Sequence, residues 1–292
     1  MATLRDIKLR IKGIKNTEKI TNAMKMVAAA KLRKAQNRVV KARPYAHKIS
    51  SMMSHLVTEE DYALFPLLEE REIKNVAVVV ITADRGLCGA FNTNIIKETH
   101  RLIDEDLSSI GAKTQLLCVG KKGYDYFKKR DIPLLDNIIG VFSSLDFNTT
   151  NQVSKILVSG YLHEKFDKII FVYNEFKSII QQKVISETFL PISIESSNEK
   201  KSTVEANYIF EPGKKEIIEY LLPKHLSAQI WRMLLESNAS ELGARMTAMD
   251  NATANAKELI RTLTITYNKE RQAAITKEIL EIVSGANALR DA

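Results

Sequence analysis

Two long stretches at opposite ends of the chain lack helix-breaking residues, and they constrain the fold more than any other feature. Residues 1–43 contain no proline and one glycine, Gly13, and residues 224–284 contain no proline and one glycine, Gly243. Because proline and glycine disfavour helix interiors, each stretch can run as a single helix. At 1.5 Å per residue the two would form rods about 60 Å and about 90 Å long. Such lengths predict a coiled coil or a rod.

Apolar residues recur in both stretches with the alternating three-four spacing of a coiled-coil seam. The N-terminal series is interrupted at Glu18 and Lys25, where Ile20, Met24 and Val27 form a neighbouring stripe. The N-terminal seam positions are Leu4, Ile7, Ile11, Ile14, Thr21, Ala28, Leu32, Ala35, Val39 and Ala42. The C-terminal seam positions are Ala228, Trp231, Leu235, Leu242, Met249, Ala252, Ala256, Leu259 and Leu263. We expect the two helices to pair antiparallel.

The C-terminal helix is the longer of the two, so its end would overhang the pair. A small central domain is expected to cover neither helix, and the overhang then needs other chains to bury Ile275, Ile279, Ile282 and Val283. Pro44 is expected to end or kink the N-terminal helix. Asn238 and Arg245 fall on seam positions, where polar residues can specify register or bind surrounding chains.

The middle of the chain changes from a helical to a strand-like period. Three short continuous apolar runs are typical of strands buried on both faces: 76–81, 116–119 and 169–172. Helical patterns lie between them, near 91–109, 123–130 and 151–166. This alternation predicts a mostly parallel, Rossmann-like sheet covered by helices. Later edge strands are expected at 182–189 and 208–210, and a polar loop at 195–203.

The chain is basic, with a net charge of +8, which predicts acidic partners without choosing among nucleic acid, an anionic membrane and an acidic protein face. The basic residues concentrate on the N-terminal helix: Lys8, Arg10, Lys12, Lys15, Lys19, Lys25, Lys31, Arg33, Lys34, Arg38, Lys41 and Arg43. They lie all round the helix, which weakens the nucleic-acid interpretation. Cys88 and Cys118 are the only cysteines, and we expect two reduced core thiols.

One glycine-bearing loop follows the first strand, with the sequence TADRGLCGAFN at 82–92. Such a turn can hold a phosphate on a helix N-terminus, although it is neither GxGxxG nor a P-loop. Alternatively, Gly86 and Gly89 serve only a tight turn. The histidines are scattered without HxxxH or HExxH spacing, and no catalytic, cofactor-binding or metal-ligating group is predicted.

Four stretches carry a family resemblance. Residues 14–29 (IKNTEKITNAMKMVAA), 84–92 (DRGLCGAFN), 240–249 (SELGARMTAM) and 267–285 (YNKERQAAITKEILEIVSG) occur in the order found in one known family. The chain resembles the gamma subunit of F-type ATP synthases over essentially its whole length. The resemblance implies a shaft of paired helices, 1–56 and 213–292, and an α/β domain at 70–212. The stretch after Met249 departs from the family's usual order.

The resemblance further implies a central stalk that rotates inside an alpha3beta3 ring and couples ion translocation to ATP synthesis or hydrolysis on the beta subunits. The alpha, beta and epsilon subunits and the c-ring would be partners. The chain itself would carry no catalysis and no cofactor. Residues matching the family's contact positions are Met24 in the shaft neck, Arg245, and Arg271, Gln272, Thr276 and Glu278 near the tip.

Two other functions fit parts of the sequence. A nucleic-acid-binding coiled-coil protein would explain the charge and would lose affinity steeply with salt. A small α/β enzyme would use the loop at 82–92. The N-terminus has no apolar signal segment and carries acidic residues early, which argues against a secretory signal and a transit peptide. Since no inserted redox-regulatory cysteine pair is visible either, we expect a bacterial protein, and the resemblance implies a peripheral location on the cytoplasmic side of the inner membrane.

Overall fold

The computed structural model describes residues 3–178, 181–192 and 210–290. Within that part the α-helices are α1 (Leu4–Leu56), α2 (Phe91–Arg101), α3 (Lys121–Phe127), α4 (Phe147–Leu162) and α5 (Lys214–Arg290). The strands are β1 (Asn75–Ile81), β2 (Lys113–Val119), β3 (Leu134–Ile138), β4 (Lys168–Phe176) and β5 (Gln182–Leu190). The loop expected at 195–203, and all but the last residue of the strand expected at 208–210, lie outside the described residues.

The strands form one sheet in the order β3-β2-β1-β4-β5. The first four are parallel, and β5 pairs with β4 antiparallel at one edge. The predicted mostly parallel sheet is therefore confirmed, including the edge strand near 182–189. The sequence analysis missed β3, because its run LLDNI is short, partly exposed and interrupted by Asp136 and Asn137.

The chain divides into two compact units. The domain unit consists of residues 29–245, and the helical unit consists of residues 1–28 and 246–292. Both α1 and α5 run through the two units as continuous helices.

In the domain unit, alternate residues of the buried strands face two apolar clusters, as expected for a sheet covered on both sides. One cluster packs β1 residues Ala77, Val79 and Ile81 with α4 and with parts of α1 and α5. The other packs Val76, Val78 and Val80 with α2 and α3. The central β1 run has no solvent exposure in either set.

The domain unit covers much more of α5 than the sequence analysis expected. The residues of α5 that join the sheet in one buried cluster are Ile218, Leu222, Leu226, Ala228, Ile230, Met233 and Leu234. The end of α1 joins the same cluster through Ala46, Ile49, Met53 and Leu56. The expectation that a small domain covers neither helix is therefore wrong, because these segments are apolar on several sides and form core helices.

Pro44 does not end α1, which continues to Leu56. The proline removes the hydrogen bond to the carbonyl of Val40, and Val40 is 65% exposed, so water can satisfy that carbonyl. The exposed position explains why the helix tolerates the proline.

A polar network also ties α1 and α5 to the strands β4 and β5. Arg232 donates hydrogen bonds to Glu187 (Nη2–Oε1, 2.6 Å) and to the Tyr173 hydroxyl (3.1 Å). Arg43 donates to Glu236 (Nε–Oε1, 3.3 Å). These residues line a cavity of about 530 Å³. Burial raises the pKa of the Glu236 carboxyl, although both arginines oppose that shift.

In the helical unit α1 and α5 pair antiparallel, as predicted. Thr21 lies 2.8 Å from Thr253 (Oγ1–Oγ1), and Lys25 lies 2.5 Å from Asp250 (Nζ–Oδ1). As the residue number rises in α1 it falls in α5, which defines the direction. Outside the seam, Ile20 and Val27 are 60% and 56% exposed, so the neighbouring stripe does not face α5.

The C-terminal seam differs by one residue from the prediction in two places. Thr253 is buried, whereas the predicted Ala252 is only half-buried. Leu259 is 51% exposed, and Ile260 is half-buried in its place. The steps 249, 253, 256 and 260 keep the three-four alternation, and the polar Thr253 concealed it in the sequence.

Gly120, directly after β2, lies too close to the Thr82 backbone to carry a side chain. Its φ is +101°, and a Cβ there would lie 1.9 Å from the Thr82 carbonyl oxygen. We therefore expect Gly120→Ala to lower the free energy of unfolding of the full-length chain by about 3 kcal/mol or more. Gly13→Ala is the matched control, since Gly13 lies in α1 with nothing within 4 Å of an added Cβ, and it should stabilise by about 1 kcal/mol. Equal effects in urea denaturation would contradict this account.

Candidate partner-contact surface

The end of α5 carries an apolar stripe that nothing in the described chain covers. Its members recur on one helix face and are between 47% and 70% exposed: Ile275, Ile279, Ile282 and Val283. Large apolar side chains in a contiguous exposed stripe mark an interaction surface. This agrees with the expectation that the overhanging helix is buried by other chains.

The four predicted tip residues flank this stripe. Arg271 and Glu278 are seven residues apart and lie along one edge, while Gln272 and Thr276 are four apart and lie along the other. All four are exposed. The Thr276 hydroxyl donates a hydrogen bond to the carbonyl of Gln272 (2.9 Å).

The side chains of Arg271, Gln272 and Glu278 make no hydrogen bond or ion pair with the described residues of the chain. Their donors and acceptors are therefore available to a second chain. An apolar stripe with uncommitted polar groups along both edges has the composition of an interface core with a polar rim.

Met24 is half-buried in the helical unit, between the two polar contacts that Thr21 and Lys25 make with α5. Sequence reasoning missed the partners Thr253 and Asp250. The partly exposed ion pair of Lys25 with Asp250 contributes little stability.

Arg245 is placed differently from the tip residues. Its guanidinium donates to Glu241 through Nε (2.8 Å) and through Nη2, and to the carbonyl of Gly86 through Nη1 (2.6 Å). Its side chain is 14% exposed and that of Glu241 is 8% exposed. The structure therefore brings Arg245 to the loop after β1, a contact that the sequence did not indicate.

The buried pair makes Arg245 important for stability. Burial raises the pKa of the Glu241 carboxyl from 4.5, and Arg245 opposes that shift. We expect Arg245→Met to destabilise the chain by about 3 kcal/mol at pH 7, because a buried charge loses its partner. The loss should shrink as the pH falls below the folded-state pKa of Glu241, since a protonated carboxyl needs no partner.

The control for this prediction is Lys25→Met, which breaks an ion pair whose side chains are 38% and 58% exposed. It should cost less than about 1 kcal/mol at any pH. Urea denaturation of both variants at pH 5 and pH 7 makes the comparison. A loss in Arg245→Met that does not depend on pH would show that the carboxyl of Glu241 is not responsible.

The loop at 82–92 is bound to the chain itself. The Asp84 carboxylate accepts hydrogen bonds from the backbone N–H groups of Lys121 (3.1 Å), Gly140 (2.8 Å) and Phe142 (3.1 Å). Such N–H groups at the carboxyl ends of parallel strands could hold a phosphate. Here they hold an internal carboxylate, which favours the interpretation of the loop as a structural turn.

Both cysteines are buried and free. Burial raises the pKa of the Cys118 thiol from 9.0 to about 12 and also raises the pKa of Cys88. Since the thiolate is the reactive form, neither has the environment of a nucleophile. The predicted pair of core thiols is confirmed.

The raised pKa of Cys118 predicts a loss of stability at alkaline pH. Above about pH 9 the unfolded thiol releases its proton while the folded thiol keeps it, so rising pH favours unfolding. We expect the free energy of unfolding to fall less steeply above pH 9 in Cys118→Ala than in the parent chain, by up to about 1.4 kcal/mol per pH unit. Parallel slopes in urea titrations between pH 8 and pH 10.5 would contradict this.

Within residues 3–178, 181–192 and 210–290, no cluster of histidine, cysteine or acidic side chains could hold a metal ion. None of the described helices is long and apolar enough to cross a membrane. Of the twelve basic residues named above on α1, all are exposed except Lys25 and Arg43, which are half-buried.

The fold and this surface define a class of protein: a subunit whose paired terminal helices end in a surface for other chains. The chain matches a family model described as ATP synthase over residues 3–289. It is 51% identical to the ATP synthase gamma chain of Chlorobium phaeobacteroides, with 99% of this chain and 100% of that one covered. It is 52% identical to the gamma chain of Prosthecochloris aestuarii, with 99% of each covered.

Two solved assemblies contain similar chains. One belongs to the Euglena gracilis mitochondrial ATP synthase with OSCP, F1 and c-ring, at 25% identity and a TM-score of 0.69, covering 98% of this chain and 94% of that one. The other belongs to the Tetrahymena thermophila mitochondrial central stalk and c-ring, at 27% identity and a TM-score of 0.60, covering 80% and 99%. The chain belongs to the ATP synthase gamma chain family.

Proposed function

We propose that this chain is the central-stalk subunit of a bacterial F-type ATP synthase. It rotates inside the alpha3beta3 ring and couples ion translocation through the membrane sector to ATP synthesis or hydrolysis on the beta subunits. The exposed tip of α5 carries the proposal, because its uncovered apolar stripe and uncommitted polar rim need surrounding chains. The identity of about half of all residues to bacterial gamma chains supports it.

In this proposal different segments of the chain have different roles. Segments 1–56 and 213–292 form the shaft, and segment 70–212 forms the α/β domain beside the epsilon subunit and the c-ring. The similar Tetrahymena chain belongs to a central stalk with a c-ring, which supports that placement. The chain is peripheral on the cytoplasmic side of the inner membrane and reaches the membrane through its partners.

The chain carries no catalysis of its own in this proposal, and it needs no cofactor. ATP chemistry belongs to the beta subunits. The shaft acts by making different contacts with successive beta subunits, which shifts each of them between open and closed states. The commitment of the Asp84 carboxylate to three backbone N–H groups supports this division of labour over a small α/β enzyme.

We propose the contact set Met24, Arg245, Arg271, Gln272, Thr276 and Glu278 for the alpha and beta subunits. The tip residues are supported by their exposure along the apolar stripe. Met24 is supported by its half-exposed position beside a basic helix face, which complements an acidic collar. For Arg245, with 14% of its side chain exposed, only an edge of the guanidinium remains for a partner.

The nucleic-acid alternative finds no support among the relatives or the similar structures, which are ATP synthase chains. An acidic protein collar accounts for the exposed basic residues of α1 equally well.

The contact role of the tip makes a direct prediction for the assembled complex. Arg271→Ala should lower the ATP-driven turnover of the complex by about threefold or more, since truncating a charged interface residue costs about 1 kcal/mol or more. Lys277→Ala is the control, because Lys277 is exposed on the opposite face of the helix, where it lies 3.7 Å from Glu281. Equal rates for the two variants would remove Arg271 from the contact set.

Co-purification tests the function as a whole. The tagged full-length chain, expressed in its native host and recovered from gently solubilised membranes, should bring alpha, beta and epsilon subunits and magnesium-dependent ATPase activity. Recovery of nucleic acid, or of the chain alone in the soluble fraction, would overturn the proposal.

A further inference from the structure

The polar network of the domain unit contains a closed triangle of hydrogen bonds between α5 and two strands. Arg232 of α5 donates to Glu187 of β5 (2.6 Å) and to the Tyr173 hydroxyl of β4 (3.1 Å). The Tyr173 hydroxyl donates in turn to the other carboxylate oxygen of Glu187 (2.6 Å). Arg232 also donates to Gln229 of its own helix (2.9 Å), which holds the guanidinium in place. A displacement of Arg232 therefore disturbs several hydrogen bonds together.

The same network includes α1. Arg43 of α1 donates through Nε to Glu236 of α5 (3.3 Å) and through Nη2 to the carbonyl of Phe176 in β4 (3.2 Å). Glu236 Oε1 also lies 3.9 Å from Nη1 of Arg232. Both long helices are therefore bonded to β4, and they are bonded to each other through Glu236.

Stability alone does not account for this arrangement. The side chains of Arg232 and Glu236 are 16% and 3% exposed, and a buried ion pair can often be replaced by apolar groups of similar volume without loss of stability. The network also lines the cavity of about 530 Å³, so apolar packing between the helices and the strands is interrupted here. The polar contacts add direction, because hydrogen bonds depend on geometry whereas apolar contacts do not.

Direction matters when a helix is turned about its own axis. A side-chain atom about 6 Å from the axis moves about 1 Å for each 10° of rotation. The hydrogen bond between Arg232 and Glu187 is 2.6 Å long, and stretching it by about 1 Å breaks it. Apolar neighbours that separate by the same distance lose only about a quarter to a half of their attraction. The network therefore resists a rotation of α5 that apolar packing alone would allow.

We propose that Arg232, Glu187 and Glu236 are positioning residues that stop α1 and α5 from turning relative to the sheet when the shaft is under load. They keep the two helices and the α/β domain in rotational alignment, so that a turn of the domain is passed to the helices. The inference rests on the proposed function, because only a rotating shaft loads these contacts, and it goes further by assigning this task to particular side chains.

The test replaces one ion pair of the network with apolar groups of similar length. In Arg232→Met/Glu187→Met the thermal unfolding midpoint of the full-length chain should stay close to that of the parent, because both charges leave together and the remaining Tyr173 lines the cavity, where water can reach its hydroxyl. The rate of ATP synthesis by the complete complex in lipid vesicles, driven by an imposed ion gradient, should fall by about threefold or more, since losing a charge-assisted hydrogen bond shifts an equilibrium at least that far.

The ATP hydrolysis rate separates this role from a purely structural one. It should be unchanged in the same complex after release from the membrane sector, because the domain then turns without load. Glu187→Gln is the conservative variant, and it should keep most of the synthesis rate, since its amide oxygen still accepts a hydrogen bond from Arg232.

Arg101→Met/Glu98→Met is the matched control. It makes the same chemical change in an ion pair that lies within α2 (Nη2–Oε1, 2.8 Å). This variant should leave the ratio of synthesis to hydrolysis unchanged, because the pair joins two residues of one helix.

An unchanged ratio in Arg232→Met/Glu187→Met would overturn the inference, and so would an equal fall in synthesis and hydrolysis, which would indicate structural damage. The same loss of the ratio in the α2 variant, or in Glu187→Gln, would also count against it. A failure of the proposed function would appear earlier and separately, as an unsubstituted chain that does not assemble with alpha and beta subunits.

Discussion

The burial of α5 against the sheet is the constraint on which the domain unit depends. Each large apolar side chain that it buries contributes about 1.5–3 kcal/mol, and six such residues between Ile218 and Leu234 share one cluster with the strands. The polar contacts of Arg232 and Arg245 then fix how the helix is turned about its own axis.

The helical unit buries much less apolar surface than the domain unit. Its buried seam consists largely of small or polar side chains such as Thr21, Ala28, Thr253 and Ala256, which remove little apolar area from water. Its large apolar groups point outward at the end of α5. The unit therefore has a thin interior and an exposed apolar stripe at the end of α5, and both properties favour a helix pair that completes its burial inside other subunits.

The sequence predicted most of the fold, because long unbroken helices and continuous apolar strands leave strong local signals. Strands β1, β2, β4 and β5 were found in this way, whereas β3 was not, since its exposed edge position requires no apolar run. The seam of α5 is predicted one residue early, at Ala252 and Leu259, because the polar Thr253 does not look like a buried seam residue in the sequence. The exposure of the tip residues could be anticipated from the overhang. The contact of Arg245 with Gly86 could not, because it joins residues far apart in the chain through a backbone carbonyl.

The two threonines of the seam give the helix pair a preferred axial position. The hydroxyl oxygens of Thr21 and Thr253 lie 2.8 Å apart, so either can donate to the other. Each can also donate to a carbonyl of its own helix, Thr21 to Glu18 (3.1 Å) and Thr253 to Met249 (2.7 Å). Sliding one helix by a heptad would set Thr21 against Ile260 or Met246 and would lose the hydrogen bond between the two hydroxyls. The two hydroxyls therefore oppose lengthwise slippage of one helix past the other.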